Sequence, residues 1–418
     1  MFSFFKFDPS FIQQVAEVED KIANRLKEID KLVEYNQGKV LKSFQQHRVA
    51  DFHLQPSSGY GYNDLGRETL DKIYTEVFHA EAALVRPHIV SGTHALAIGF
   101  FGLLRPGDEL LYITGEPYDT LEKVIGINGT GMGSLQEWGI SYQCVPLNES
   151  GKVNYEQVAR AINSRTKVVA IQRSRGYTFR DSFSVEDIKD MVSFVKEVKP
   201  EIITLVDNCY GEFTERYEPT YVGADVLVGS LIKNPGGGIA KTGGYLAGKK
   251  SYIKTISYRL TAPGIGGDVG AMDRHTRDFY LGLFLAPHFV GEALKGGVFA
   301  AALMEELGFI TSPKWDEQRY DIIQTIKFNH PKILLNFLQG LQKGAPIDSH
   351  VNLEPAHLPG YQDPVVMAAG TFVQGGSLEL SGDAPFKEPY IAYMQGGLTY
   401  QHIKWGLLTA IEIIQKNS

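Results

Sequence analysis

Between positions 202 and 233 the chain twice runs through a short aliphatic stretch and then presents a charged side chain. Residues 202–206 (Ile-Ile-Thr-Leu-Val) close on Asp207, and residues 226–228 (Val-Leu-Val) lead through Gly229-Ser230-Leu231-Ile232 to Lys233 and then Asn234-Pro235-Gly236-Gly237-Gly238. Runs this short and this apolar read as strands buried on both faces. Asp207 and Lys233 are therefore expected just beyond the carboxyl ends of two strands, a carboxylate on one and an amine on the other. Few folds deliver such a pair.

The surrounding pattern says which fold does. The spacing predicts strands over 109–114, 141–145, 167–171, 202–206 and 226–228. Between them it predicts helices over 93–104, 120–128, 155–162 and 185–198, the last capped by Ser184 with Asp187 three positions on. Strands alternating with helices imply a mostly parallel sheet covered by helices, an α/β architecture whose ligands sit at the carboxyl ends of the strands. Before this region, residues 11–42 carry apolar positions at helical spacing and read as an N-terminal arm, packed into the core or used between subunits. After it, 288–307 reads as a connecting helix. The rest reads as a smaller α+β unit, with helices over 321–328, 331–341 and 400–414 and strands over 365–373 and 378–380. The expected division is an arm over 1–50, a large domain over 51–290, and a connecting helix with a small C-terminal domain over 291–418.

Composition excludes several classes. A net charge of -7 offers no basic stripe for nucleic acid. Two cysteines, Cys144 and Cys209, provide no disulfide framework and suit a reducing cytoplasm. Residues 1–7 are apolar but too short for a secretory signal, and no apolar stretch reaches the roughly 20 residues that span a bilayer. The eleven histidines show no paired ligand spacing, so no metal is expected. Gly129-Thr130-Gly131-Met132-Gly133 resembles a dinucleotide loop but lacks the strand before it and the acid after it.

A lysine and a carboxylate at neighbouring strand ends are what pyridoxal 5′-phosphate (PLP) requires. Lys233 would hold the aldehyde as a Schiff base, and Asp207 would keep the pyridine nitrogen protonated. Lys241 is the local rival for the first role, and Asp207 otherwise serves as a helix cap. Tyr210 would hydrogen-bond the phenolic oxygen, or else simply packs. Ser91-Gly92-Thr93-His94 opens a helix and would form an anion cradle for the phosphate, with the hydroxyl of Ser230 added from the lysine turn, or else its hydroxyls are ordinary helix caps. Tyr118, beyond the strand over 109–114, would stack on the ring and stand beside a leaving group, or else is a packed loop tyrosine. The segment from Gly59 to Arg67 either reaches a phosphate from a partner subunit or is a flexible turn.

Five segments together resemble the fold-type-I PLP enzymes, within them the cystathionine/methionine γ-lyase group, and most closely its aluminium-resistance branch. They are residues 60–67, residues 91–95, Val206-Asp207-Asn208-Cys209-Tyr210-Gly211-Glu212-Phe213, residues 230–237, and residues 370–381 with Glu388-Pro389-Tyr390. The resemblance covers nearly the whole chain. It implies a PLP-dependent transferase-like fold and a homodimer or homotetramer with shared active sites, in which the neighbour's Tyr62 and Arg67 bind phosphate. It also implies a substrate that is an amino acid. Where the branch carries arginine before Glu388-Pro389-Tyr390, this chain has Lys387, a point charge in place of a bidentate fork. Arg173 and Arg175 then become the better candidates for the substrate carboxylate.

The resulting expectation is a cytoplasmic PLP-dependent carbon–sulfur lyase acting by β- or γ-elimination on a sulfur-bearing amino acid. The alternatives are an aminotransferase on the same fold and a stress-linked protein that binds PLP without turnover.

Overall fold

The periodic apolar positions of the N-terminal arm form one long helix, α1 (Pro9–Gln46). In the computed structural model, which describes residues 7–127, 131–358 and 363–417, two compact units are resolved. The first contains residues 36–176 and 180–286. The second contains the described residues before 36, residues 177–179 and those from Pro287 onward. Asn128, at the end of one expected helix, and Gly129 and Thr130 of the dinucleotide-like run lie outside the described residues, as do residues 1–6.

The apolar runs of the first unit become β1 (Ala82–Arg86), β2 (Glu109–Tyr112), β3 (Ser141–Cys144), β4 (Thr166–Gln172), β5 (Ile203–Asp207), β6 (Val226–Ser230) and β7 (Gly244–Gly248). They form one sheet in the order β1-β7-β6-β5-β4-β2-β3. The strands from β6 to β3 are parallel, whereas β7 runs antiparallel between β6 and β1. Register aligns Gln172 of β4 with Asp207 of β5, and Asp207 with Val228 of β6. Strands β4 and β5 therefore finish on one row, and β6 runs two residues past it to Ser230.

Around this sheet lie α2 (Leu65–Val77), α3 (Gly92–Leu103), α4 (Asp119–Ile125), α5 (Tyr155–Ala161), α6 (Val185–Val198) and α7 (Lys250–Leu260). The predicted cap of α6 is a full capping box, with Ser184 Oγ accepting from Asp187 N and Asp187 Oδ2 accepting from Ser184 N, each at 2.9 Å. Helix α3 is apolar all round because it is sandwiched: Leu96 and Phe100 share a buried cluster with Leu205, Val228 and Leu246 of the sheet and Ile256 of α7. Each such side chain contributes about 1.5–3 kcal/mol when fully buried. A Cβ at Gly102 would come within 2.8 Å of Ile256 Cα, so only glycine lets α3 and α7 approach this closely. A short turn over residues 87–90 links β1 to α3.

The second unit holds the end of α8 (His275–Glu306), an antiparallel sheet, α9 (Pro331–Lys343) and α10 (Tyr400–Asn417). Its strands are β8 (Ile310–Ser312), β9 (Ile323–Lys327), β10 (Val365–Ala368), β11 (Ser381–Pro385) and β12 (Ile391–Gln395), in the order β10-β11-β12-β9-β8. Two expectations are corrected here. The segment 321–328, expected as a helix, is strand β9, because its β-branched residues Ile323, Thr325 and Ile326 pack in the middle of a sheet, paired with β12 and β8. The strand expected over 378–380 begins instead at Ser381.

Candidate active site

Lys233 follows β6 and is extended at φ -117°, ψ -150°, immediately before a single turn of 3-10 helix over Asn234–Gly236. Asn234 is buried, and its Nδ2 donates to the carbonyls of Tyr210 at 3.0 Å and Glu212 at 2.9 Å. One amide thereby ties the lysine turn to the turn that follows β5. The glycine at 236 is forced, since a Cβ there would stand 1.6 Å from Leu231 O.

The turn after β5 brings Asp207, Cys209 and Tyr210 to the lysine. Cys209 N donates to Asp207 Oδ1 at 3.1 Å, and Lys233 Nζ lies 4.0 Å from the centroid of the Tyr210 ring. Tyr210 takes a positive φ of 71°, a conformation costly for a side chain of that size, and it is held there within this packed turn. Burial raises the pKa of the Asp207 carboxyl, and the Lys233 charge pulls it back down. For Lys233 burial favours the neutral amine, but the surrounding Cys209, Tyr210, Asp207 and Glu212 outweigh it, and the net shift is upward. Desolvation by itself would lower a lysine's proton affinity. Cys209 and Tyr210, with Asp207 and Glu212, reverse the direction.

The phosphate end is built by α3. Ser91 caps the helix, its Oγ accepting from His94 N at 3.0 Å, and Thr93 Oγ1 meets Thr120 Oγ1 at 2.7 Å. A Cβ on Gly92 would lie 3.2 Å from Cys209 Sγ and 3.6 Å from Ser230 Cβ, so this turn faces the ends of both β5 and β6. Ser230 Oγ is buried and has no hydrogen-bond partner among the described residues. An unsatisfied buried hydroxyl beside the N-terminus of a helix suits an anion, and the site therefore fits the phosphate of PLP. Tyr118 stands at the start of α4. Its N–H donates to Gln172 Oε1 at 3.0 Å, and its ring lies 3.6 Å from where a Cβ on Gly176 would be.

The remaining candidates are placed differently. Arg173 is fully buried and donates to Phe183 O, Asn208 Oδ1, Gly211 O and Glu215 Oε2, with Glu218 at 3.6 Å. Arg175 is also fully buried. Lys387 belongs to the other unit, where it is exposed and pairs with Asp363 at 2.5 Å. Arg67 is buried against its own chain, donating to the carbonyls of Gly61, Asp268 and Gly270. Tyr62 is exposed and stacks on Tyr60 with centroids 5.5 Å apart. Lys241 is 72% exposed and faces Asp278.

Sequence reasoning passed over Thr120, Gln172, Glu212, Asn234 and Tyr245. Glu212 carried a signal, as a glutamate inside an otherwise apolar turn. The amides did not, since their partners come from other strands.

The methionine gamma-lyase family matches over residues 11–415. The chain belongs to that family. This methionine gamma-lyase family member is 53% identical over 401 residues to YnbB of Bacillus subtilis (strain 168), an uncharacterized protein, covering 96% of this chain and 95% of YnbB. It is similar to a solved structure from Listeria monocytogenes described as a candidate cystathionine beta-lyase involved in aluminium resistance. That likeness has 52% identity and a TM-score of 0.94, covering 96% of this chain and all of the other. A carbon-sulfur lyase involved in aluminium resistance from Clostridium novyi NT is likewise 52% identical, with a TM-score of 0.93, covering 97% of this chain and 96% of its own. The PLP-dependent protein YhfS of Escherichia coli, at 18% identity and a TM-score of 0.61, shares the fold. The fold is that of the fold-type-I PLP enzymes, the cofactor is pyridoxal 5′-phosphate, and the family member is a PLP-dependent lyase.

Proposed function

We propose that this lyase breaks the carbon–sulfur bond of a sulfur-bearing amino acid, releasing a thiol, a 2-oxo acid and ammonia. The observation that carries the reading is the buried pairing of Lys233 with Asp207 at the carboxyl edge of the sheet, next to a phosphate cradle with an unsatisfied hydroxyl. The likeness to the carbon-sulfur lyase of Clostridium novyi NT supports the choice of reaction.

When bound, PLP withdraws electrons from the substrate's α-carbon and so makes that carbon acidic. Ser91, Gly92, Thr93 and Ser230 would hold its phosphate, and Asp207 would supply the negative charge its ring nitrogen needs. Lys233 would anchor it and then, with Nζ freed by the incoming amino acid, take the α-proton. Tyr210, 4.0 Å from that nitrogen, limits where the amine can swing. Tyr118, oriented through Gln172, would donate the phenolic proton to the departing sulfur. Arg173 is taken up by partners on its own chain, and Arg175, also buried just past β4, would receive the substrate carboxylate. Tyr62, exposed and aromatic, would serve a neighbouring subunit's site in a dimer or tetramer.

Supplying the PLP-loaded protein with methionine, cystathionine and cysteine in turn, and measuring thiol, ammonia and 2-oxo acid together, tests the proposal. Stoichiometric release of all three from at least one substrate is expected. Transfer of the amine to an added 2-oxo acid without thiol would make it an aminotransferase. No product from any amino acid would make the bound cofactor non-catalytic.

A further inference from the structure

One fully buried carboxyl near Lys233 has no part in the reaction above. Glu212 is 0% exposed, and its Oε1 accepts from Tyr245 OH at 2.9 Å. Its Oε2 has no hydrogen-bond partner among the described residues. The pair is packed against β6 at Gly229, where a Cβ would come within 2.6 Å of Glu212 Oε1 and 2.3 Å of Tyr245 Cε1. Gly229 lies four residues before Lys233. The Glu212 carbonyl is held by Asn234, the residue next to that lysine. The pocket under the lysine turn is thus shaped around an acid–phenol pair.

We propose that Glu212, positioned by Tyr245, holds an exchangeable proton beside Lys233 and thereby sets the charge state of the lysine nitrogen. Glu212 is a positioning residue in this scheme, acting through Lys233. The inference rests on Lys233 being the lysine that carries the cofactor.

The charged and titratable surroundings are consistent with this role. Facing Glu212 are Tyr245 from β7, Tyr74 from α2, Glu218 and Cys209 from the β5–β6 connection, and Lys233 itself. Facing Lys233 are Cys209, Tyr210, Asp207 and Glu212. Glu218 is taken up by Arg173 at 3.6 Å and by Asn208 Nδ2 at 2.9 Å, with Lys39 and His79 also within its field. Burial pushes the Glu212 carboxyl up to about 8. It is therefore a neutral acid at pH 7 and becomes an anion in mildly alkaline solution. That new charge favours the protonated lysine nitrogen and delays its loss of a proton as pH rises.

The test is a pH titration of the absorbance band of the PLP-loaded protein between pH 6 and 10, with no substrate present. Glu212→Gln removes the late charge and should move the midpoint down by about one pH unit, tenfold in proton affinity. Tyr245→Phe removes the hydrogen bond that favours the Glu212 anion, and it should move the midpoint the same way by less. Each titration also checks that the variant folds and binds PLP. Midpoints unchanged from wild type in both variants would overturn the proposal. A Lys233→Ala protein that retained the band would instead show that the anchoring lysine had been misassigned.

Discussion

Lys233 Nζ sits 4.0 Å from the centre of the Tyr210 ring, and the tyrosine pays for this contact with a positive φ. The face of an electron-rich ring against an ammonium is a favourable contact, strengthened by exclusion of water. Asn234, bonded to the carbonyls of Tyr210 and Glu212, fixes the two turns together. The lysine is therefore held in place before any ligand arrives.

The first prediction concerns attachment. Borohydride reduction of PLP-loaded protein followed by peptide mapping should place the adduct on the peptide bearing Lys233, and Lys233→Ala should carry none. An adduct on Lys241 would move the assignment, although that side chain is solvated and paired with Asp278.

Asp207→Asn keeps the volume and the acceptor for Cys209 N–H but removes the charge. Thermal unfolding should change little, while turnover should fall on the order of 10²–10⁴-fold. Turnover within a factor of two of wild type would remove Asp207 from the chemistry.

Ser230→Ala deletes the buried hydroxyl that lacks a partner. The cofactor-free protein should be as stable as wild type or slightly more so, since an unsatisfied buried group is removed. PLP should bind roughly 10–100-fold more weakly, the loss expected for a hydrogen bond to a charged group. Equal affinity, measured by dialysis or fluorescence quenching, would place the phosphate elsewhere.

Stability of the cofactor-free protein should depend on pH through Glu212 and Asp383. Burial raises Glu212 from 4.5 to about 8. It raises Asp383 from 3.8 to about 6, despite hydrogen bonds from Tyr177 OH and Gln395 Nε2. A raised acid binds more protons in the folded state than in the unfolded one, so its stabilisation is complete below the unfolded value. It is lost as pH climbs through the folded value, at up to ~1.4 kcal/mol per pH unit. Relative to Glu212→Gln, wild type should therefore lose stability between pH 4.5 and about 8. Relative to Asp383→Asn, the loss should fall between 3.8 and about 6. Denaturant unfolding at pH 5, 7 and 9 reads both, and a constant wild-type-minus-variant difference would refute the corresponding shift.

Much of the architecture is legible in one dimension because strand and helix periods are local properties. The strand ending at Asp207, the strand leading to Lys233, the capped helix α6 and the helix opened by Ser91 each declare themselves within fewer than twenty residues. Segment 321–328 misleads because Ile322, Ile323 and Ile326 satisfy a helical spacing as well as a strand, and only pairing with β12 and β8 decides between them.

By itself, then, the order of residues determined the mostly parallel sheet, the placement of a carboxylate and a lysine at its carboxyl edge, and the kind of cofactor expected there. What the folded chain alone decided is the electrical setting of that pair. Tyr245 arrives on β7, a glycine-bounded strand with no sequence signal, and Arg173 is withdrawn from any ligand by partners up to 45 positions away. Proton affinities depend on solvent exclusion and on charges within a few ångströms. Those distances are set by which strands lie side by side, and that is a property of tertiary structure.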